Sequence, residues 1–191
     1  MTKASAQTGA EESGESDSGD LAALDQRTFR RVMGRFSTGV AVVTFLRDGE
    51  PAGITVNSFL SVSADPPLIL VSLRRESSVI HHLGVGDCYG VSFLTEEQLD
   101  IGLHFSGKPI EDLDVAYEEK DGTPLIRGSL AQVIGRVVDV HEAGDHFLYI
   151  AGVEHLWQGP ESKPLIFYSG RYKQIHAHEP GRHFSDELQG W

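Results

Sequence analysis

Hydrophobic and polar positions change their period several times along this 191-residue chain, and each change marks an element. Phe29, Val32, Met33 and Phe36 recur at helical spacing behind a candidate N-cap, Asp25, while Arg27, Arg30, Arg31 and Arg35 fill the other face. That pattern predicts an amphipathic helix. Gly39 then opens the β-branched run 40–45, and Asp48-Gly49 carries the turn chemistry that reverses a chain into a second strand near residues 52–56. Pro66-Pro67 breaks the chain before the apolar run 68–73, whose length and branching predict a buried strand. Residues 77–83 predict a short helix, and residues 89–94 another strand. Thr95 and Gln98, spaced as a capping box, predict a helix to about Phe105, ended by Gly107 and Pro109.

Three more β-favouring runs follow at 130–140, 147–156 and 165–172, separated by Glu142-Ala143-Gly144-Asp145 and by Gly159-Pro160. Parallel crossovers need a dozen or more residues each, and most connections here are shorter. The expected fold is therefore mainly β, an antiparallel barrel with a few short helices. One folded domain is expected over 25–175. A disordered, acidic and Ser/Gly-rich tail (1–24) precedes it, and a polar extension (176–191) with His176, His178 and His183 follows.

Charge narrows the partners. With 16 Lys and Arg against 28 Asp and Glu, the net charge of -12 repels phosphate backbones and anionic surfaces unless a local basic patch overrides it. Neither nucleic acid nor membrane is expected, and no apolar stretch approaches the roughly 20 residues that span a bilayer. The single cysteine, Cys88, cannot build a disulfide framework or a multi-cysteine metal site. Together with an N-terminus lacking the basic start and apolar run of a secretory signal, it predicts a cytoplasmic protein. Among nine histidines, His81 and His82 point apart on one short helix, and His141 and His146 lack a metal-spaced carboxylate motif, so no metal is expected. Gly84-Val85-Gly86 lacks the third glycine of a dinucleotide fingerprint, and neither a phosphate loop nor a Gly-x-Ser-x-Gly elbow occurs.

The chemically unusual segment is 53–63, where Thr55, Asn57, Ser58, Ser61 and Ser63 cluster in an otherwise apolar strand region. One reading is a strand end passing into a turn, its polar side chains bonding nearby backbone. The other is a polar edge for a flat heteroaromatic ligand, whose rim needs donors and acceptors and whose faces need apolar cover. The residues alone leave both open, along with a flavin-free barrel that binds some other small molecule.

Residues 29–44, residues 53–63, Pro66-Pro67-Leu68, Gly144-Asp145-His146 and Gly170-Arg171-Tyr172 occur in that order. So arranged, they closely resemble the short-chain flavin reductases of two-component monooxygenases, over about 25–175. The resemblance implies a flavin-binding split β-barrel of Greek-key type that forms a homodimer. It implies hydride transfer from NADH, or NADPH, to FMN or FAD, with reduced flavin diffusing to a partner monooxygenase. A non-catalytic flavin carrier on the same barrel is the alternative.

Site residues follow from the same resemblance. The segment 53–58 lies along the flavin ring, so Gly53, Ile54, Thr55, Asn57 and Ser58 are expected to bind it, with Pro51, Ala52 and Ser61 alongside. Ser72, Leu73, Arg74, Ser78 and Val79 resemble the stretch that holds ribityl and phosphate groups. A guanidinium fork suits Arg74 to phosphate, and Ser77 and Ser78 at a helix start would add donors. His104, Phe105 and Lys108 resemble the helix end beside the flavin, with Ser106 where the family often has Ala; Val56 likewise replaces a common Ala. His146 is implied near the nicotinamide, positioning it or balancing charge on reduced flavin, with Asp145 or a carbonyl setting its tautomer. Tyr168, Arg171 and Tyr172 are implied near the nicotinamide nucleotide. Direct hydride transfer needs the two rings stacked within about 3–3.5 Å and little acid–base machinery.

Overall fold

The computed structural model describes residues 25–175; the tail expected at 1–24 and the extension at 176–191 lie outside the described residues. Asp25 caps α1 (Gln26–Met33), its carboxylate accepting the N–H groups of Arg27 at 3.2 Å and Thr28 at 3.3 Å. The strands that follow are β1 (Thr38–Gly39), β2 (Ala41–Arg47), β3 (Glu50–Val56), β4 (Phe59–Ala64), β5 (Pro67–Arg74) and β6 (Cys88–Phe93). After α2 (Leu99–His104) come β7 (Tyr117–Lys120), β8 (Thr123–Ile126), β9 (Ala131–Ala143), β10 (His146–Gln158), β11 (Ile166–Tyr168) and β12 (Arg171–Lys173).

Seven strands form one antiparallel sheet in the order β3-β2-β6-β9-β10-β5-β4. The sheet curls until β3 and β5 stand on two sides of one cleft, yet no ladder joins them. The result is a mainly β antiparallel fold, as the strand pattern predicts, and a split barrel, as the resemblance implies. Short Asp-Gly turns make the hairpins: Asp48 (φ 56°) and Gly49 (φ 85°) join β2 to β3, and Asp121 (φ 48°) and Gly122 (φ 72°) join β7 to β8.

The run 40–45 lacks polar alternation because both of its faces are covered. Ala41, Val43 and Phe45 enter the barrel core with Val71, Leu73, Val91 and Tyr149. Val40 and Val42 face a second cluster with Leu94, Ile126 and Leu165, flanked by Leu99, Ile101 and Phe105 of the α2 region. Each such side chain contributes roughly 1.5–3 kcal/mol by burial. The second cluster thereby fastens α2 to the outside of β2.

Several expectations need correction. The helix expected at 77–83 is a single 3-10 turn, Ser78–His81, because Leu83 is drawn into the core immediately after it. The run 165–172 is a hairpin, not one strand, since Ser169 and Gly170 both adopt positive φ (49° and 74°) between β11 and β12. Residues 59–64, part of the polar segment, form the edge strand β4. α1 buries no residue; Phe29, Val32 and Met33 remain about half exposed (53%, 54% and 53%), and Phe36, beyond the Gly34 cap, is 78% exposed.

The β7–β8 hairpin presses on β6 at Gly90, where an added Cβ would lie 2.6 Å from Leu125 Cδ2 and 2.7 Å from the Pro124 carbonyl oxygen. The Thr44 hydroxyl donates to that same carbonyl, so the backbone has little room to yield. Gly90→Ala is expected to destabilise the protein by about 1–3 kcal/mol through overpacking, read as a lower urea midpoint at unchanged slope.

Candidate active site

β3 lies at one end of the sheet, so every second residue turns its peptide groups outward, away from β2. Thr55 is one of these, its N–H donating to the Phe105 carbonyl at 3.0 Å. The same alternation puts Gly53 and Pro51 on the outer edge, where a proline costs the ladder no hydrogen bond. The Thr55 hydroxyl donates to the Gly102 carbonyl at 2.8 Å, and Tyr172 donates to the same oxygen at 3.2 Å. One carbonyl thus joins β3, α2 and β12.

Three contiguous clefts open along this edge. The first, about 430 Å³, is lined by Ile54, Thr55, Val56, Asn57, Ser58, Ser72, Leu73, Arg74, Glu76, Ser77 and His146. The second, about 810 Å³, runs from Arg47, Pro51, Ala52 and Gly53 past Arg74, Ser78 and Val79 to His104 and Phe105. The third, about 710 Å³, includes Thr55, Arg74, Ser106, Lys108, Arg171 and Tyr172. Thr55 and Arg74 line all three.

Arg74 ends β5 directly opposite His146, the first residue of β10, so the strand register makes them neighbours. Among the described residues the Arg74 guanidinium has no hydrogen-bonding partner, whereas that of Arg75 is engaged. Arg75 donates to the Gly144 carbonyl at 2.9 Å, pairs with Glu142 at 2.7 Å and covers the Phe147 ring at 5.1 Å. Of the two adjacent arginines, only Arg74 faces the clefts.

His146 Nδ1 and Asp145 Oδ1 are 2.7 Å apart. With the carboxylate accepting the Nδ1 proton, Nε2 is the ring nitrogen left for a ligand. That hydrogen bond, then the imidazole's charge, holds the Asp145 carboxyl below its ordinary range. Because the folded value is lowered, the stabilisation Asp145 lends is fully present above the ordinary aspartate range and is lost as pH falls from that range through the lowered value. His104 Nδ1 accepts the Ile110 N–H at 3.1 Å, which places the His104 proton on Nε2.

Most residues named from the sequence meet along these clefts, and two do not. Ser61 sits within β4 opposite Ile69. Tyr168 accepts a hydrogen bond from Arg35 at 3.2 Å, which pulls its phenol pKa below the usual value and ties the segment after α1 to β11. The 3-10 turn at Ser78 is too short to present a helix start, and Ser77 Oγ accepts the Val79 N–H at 3.4 Å while keeping its own hydroxyl proton to donate. The sequence reading omitted Arg47, whose place in the second cleft follows from a hairpin register that residue type does not reveal.

The clefts collect Arg47, Arg74, Lys108 and Arg171 against one carboxylate, Glu76, on a chain of net charge -12. Such a basic concavity, edged by backbone and hydroxyl groups and floored by Ile54, Leu73 and Phe105, fits a flat anionic cofactor such as a flavin nucleotide.

Residues 33–176 match the flavin reductase like domain, and the chain belongs to that family. It is 36% identical over 178 residues to the reductase subunit HsaB of a flavin-dependent monooxygenase from Mycobacterium tuberculosis, covering 89% of this chain and 94% of that protein. It is 37% identical over 149 residues to an NADH-dependent flavin reductase from a Rhodococcus species, covering 76% and 84%. Among solved structures, the flavin reductase PheA2 superposes with a TM-score of 0.76 at 38% identity, covering 81% of this chain and 100% of that one.

If the Gly102 carbonyl sets where α2 ends, removing one of its donors should loosen the clefts. Thr55→Val is expected to raise the Michaelis constant for flavin about threefold to fivefold with little change in kcat, the worth of one ordinary hydrogen bond, whereas Thr55→Ser retains the wild-type value.

Proposed function

We propose that this chain is an NADH-dependent flavin reductase that passes hydride to FMN or FAD and supplies reduced flavin, by diffusion, to a partner monooxygenase. The observation that carries the reading is the basic cleft system along the β3 edge, with Arg74 and His146 paired by register at its centre. Membership of the family, and relatives named as NADH-dependent flavin reductase and monooxygenase reductase subunit, support it.

Ile54 to Ser58, with Ser72 and Leu73, hold the ring; Arg74, Ser78 and Lys108 hold the phosphate; Arg171 and Tyr172 bind the nicotinamide nucleotide. Bound there, the flavin supplies the hydride acceptor. The protein's own contribution is to stack, orient and balance charge, and His146, held by Asp145, positions the nicotinamide from the side of Arg74.

We further assign a homodimer. The exposed apolar positions of α1 and Phe36, with Leu60 and Val62 on edge strand β4, are the surface that a second copy would bury. We place the protein in the cytoplasm, in keeping with its single cysteine; no described helix is long and apolar enough to cross a membrane.

Purified protein mixed with FMN or FAD and NADH or NADPH should consume the nicotinamide, with NADH the faster donor. Flavin bound tightly without NADH consumption would indicate a carrier instead. His146→Ala should raise the Michaelis constant for NADH about tenfold, the worth of one charge-assisted hydrogen bond, and unchanged kinetics would remove His146 from the site. Met33→Glu combined with Phe36→Glu should shift the protein from dimer to monomer in light scattering without altering its circular dichroism.

A further inference from the structure

The second cleft is larger than a ribityl phosphate needs. Its volume of about 810 Å³ lies near the upper end of the range that encloses a drug-sized ligand. It shares Ile54, Thr55, Arg74 and Ser77 with the ring-sized first cleft and continues along β3 to Pro51 and Arg47. A ligand with its ring at residues 54–58 and its first phosphate at Arg74 and Ser78 still has residues 50–53 of β3 ahead of it.

Arg47 stands at the far end of that path. It closes β2 opposite Glu50, four register positions from the Val43–Ile54 pair, or roughly 13 Å along the strand at the usual rise. Asp48 and Glu50 flank it, yet among the described residues it forms no ion pair with either. Its fork of donors is free to take a phosphate bidentately. Pro51 and Tyr117, which line the same cleft, offer apolar cover for a base.

We propose that Arg47 is a specificity-determining residue that selects FAD over FMN, by binding the second phosphate and docking the adenosine against Pro51 and Tyr117. FMN ends at Arg74 and gains nothing from Arg47. The inference rests on the flavin reductase reading, and it commits the 810 Å³ cleft to the flavin's nucleotide half rather than to that of NADH, whose approach is through the third cleft beside Arg171 and Tyr172.

The test is equilibrium dialysis of the full chain against FAD, FMN and NAD⁺, for wild type, Arg47→Ala and Arg47→Lys. Wild type should bind FAD more tightly than FMN. Arg47→Ala should raise the ratio of the FAD to the FMN dissociation constant about fivefold to tenfold, a partly exposed charge pair being worth less than a buried one, and Arg47→Lys should restore part of it. A ratio within twofold of wild type, tighter binding of FMN by wild type, or a loss confined to NAD⁺ would each overturn the inference while leaving the reductase reading in place. Wild type that binds neither flavin would overturn both.

Discussion

Hydrogen bonding around this sheet ends at β3 on one side and β4 on the other, which leaves an open seam between β3 and the end of β5, and the functional surface depends on that interruption. A closed barrel would satisfy the outward peptide groups of β3 with a neighbouring strand and leave a ligand nothing to bind. Here Thr55 meets the end of α2 instead, through Phe105 and Gly102, and the helix end stands off far enough for clefts to open on both sides. The second hydrophobic cluster, built on the outer face of β2, is what keeps α2 at that distance. The open seam is therefore a packed feature of the fold.

Electrostatics acts on the same seam. A strongly acidic protein can bind a phosphate-bearing ligand only where cations outnumber carboxylates locally, and the clefts gather four cations from β2, β5, β12 and the segment after α2. The net negative charge has its own effect, because it disfavours anions over much of the remaining surface, the arginine face of α1 apart. The field thus narrows where a flavin or nicotinamide nucleotide can settle before any specific contact is made.

Much of this was legible in the sequence, for identifiable reasons. Asp48-Gly49 announced a hairpin because few other dipeptides accept two positive φ values, and the β-branched run 40–45 announced its first strand. Asp121-Gly122 carries the same signal, but the short strands beside it, interrupted by Pro124, gave it no periodic context. β4 escaped because Ser61 and Ser63 lie on an exposed edge strand and read as turn chemistry. α1 was legible as a helix and misleading as a packed one, since periodicity reports an apolar face and not which molecule covers it. The cleft residues near 55, 74 and 146 were reached only through ordered motifs, because what brings them together is register across β3, β5 and β10.

Register also decides between Arg74 and Arg75, which the sequence presents as equivalent. Successive residues at a strand end face opposite sides, and a slip of one residue in the β5–β10 pairing would exchange their environments. Pairing of Leu73 with Phe147 and of Val71 with Tyr149 opposes that slip, because Leu73, Val71 and Tyr149 are buried in the core and a slip would turn them to solvent. Arg75 is held on the far side by Gly144, Glu142 and the ring of Phe147. The guanidinium left facing the clefts is therefore chosen by core burial several residues away, so the basic site and the hydrophobic core are set by one pairing.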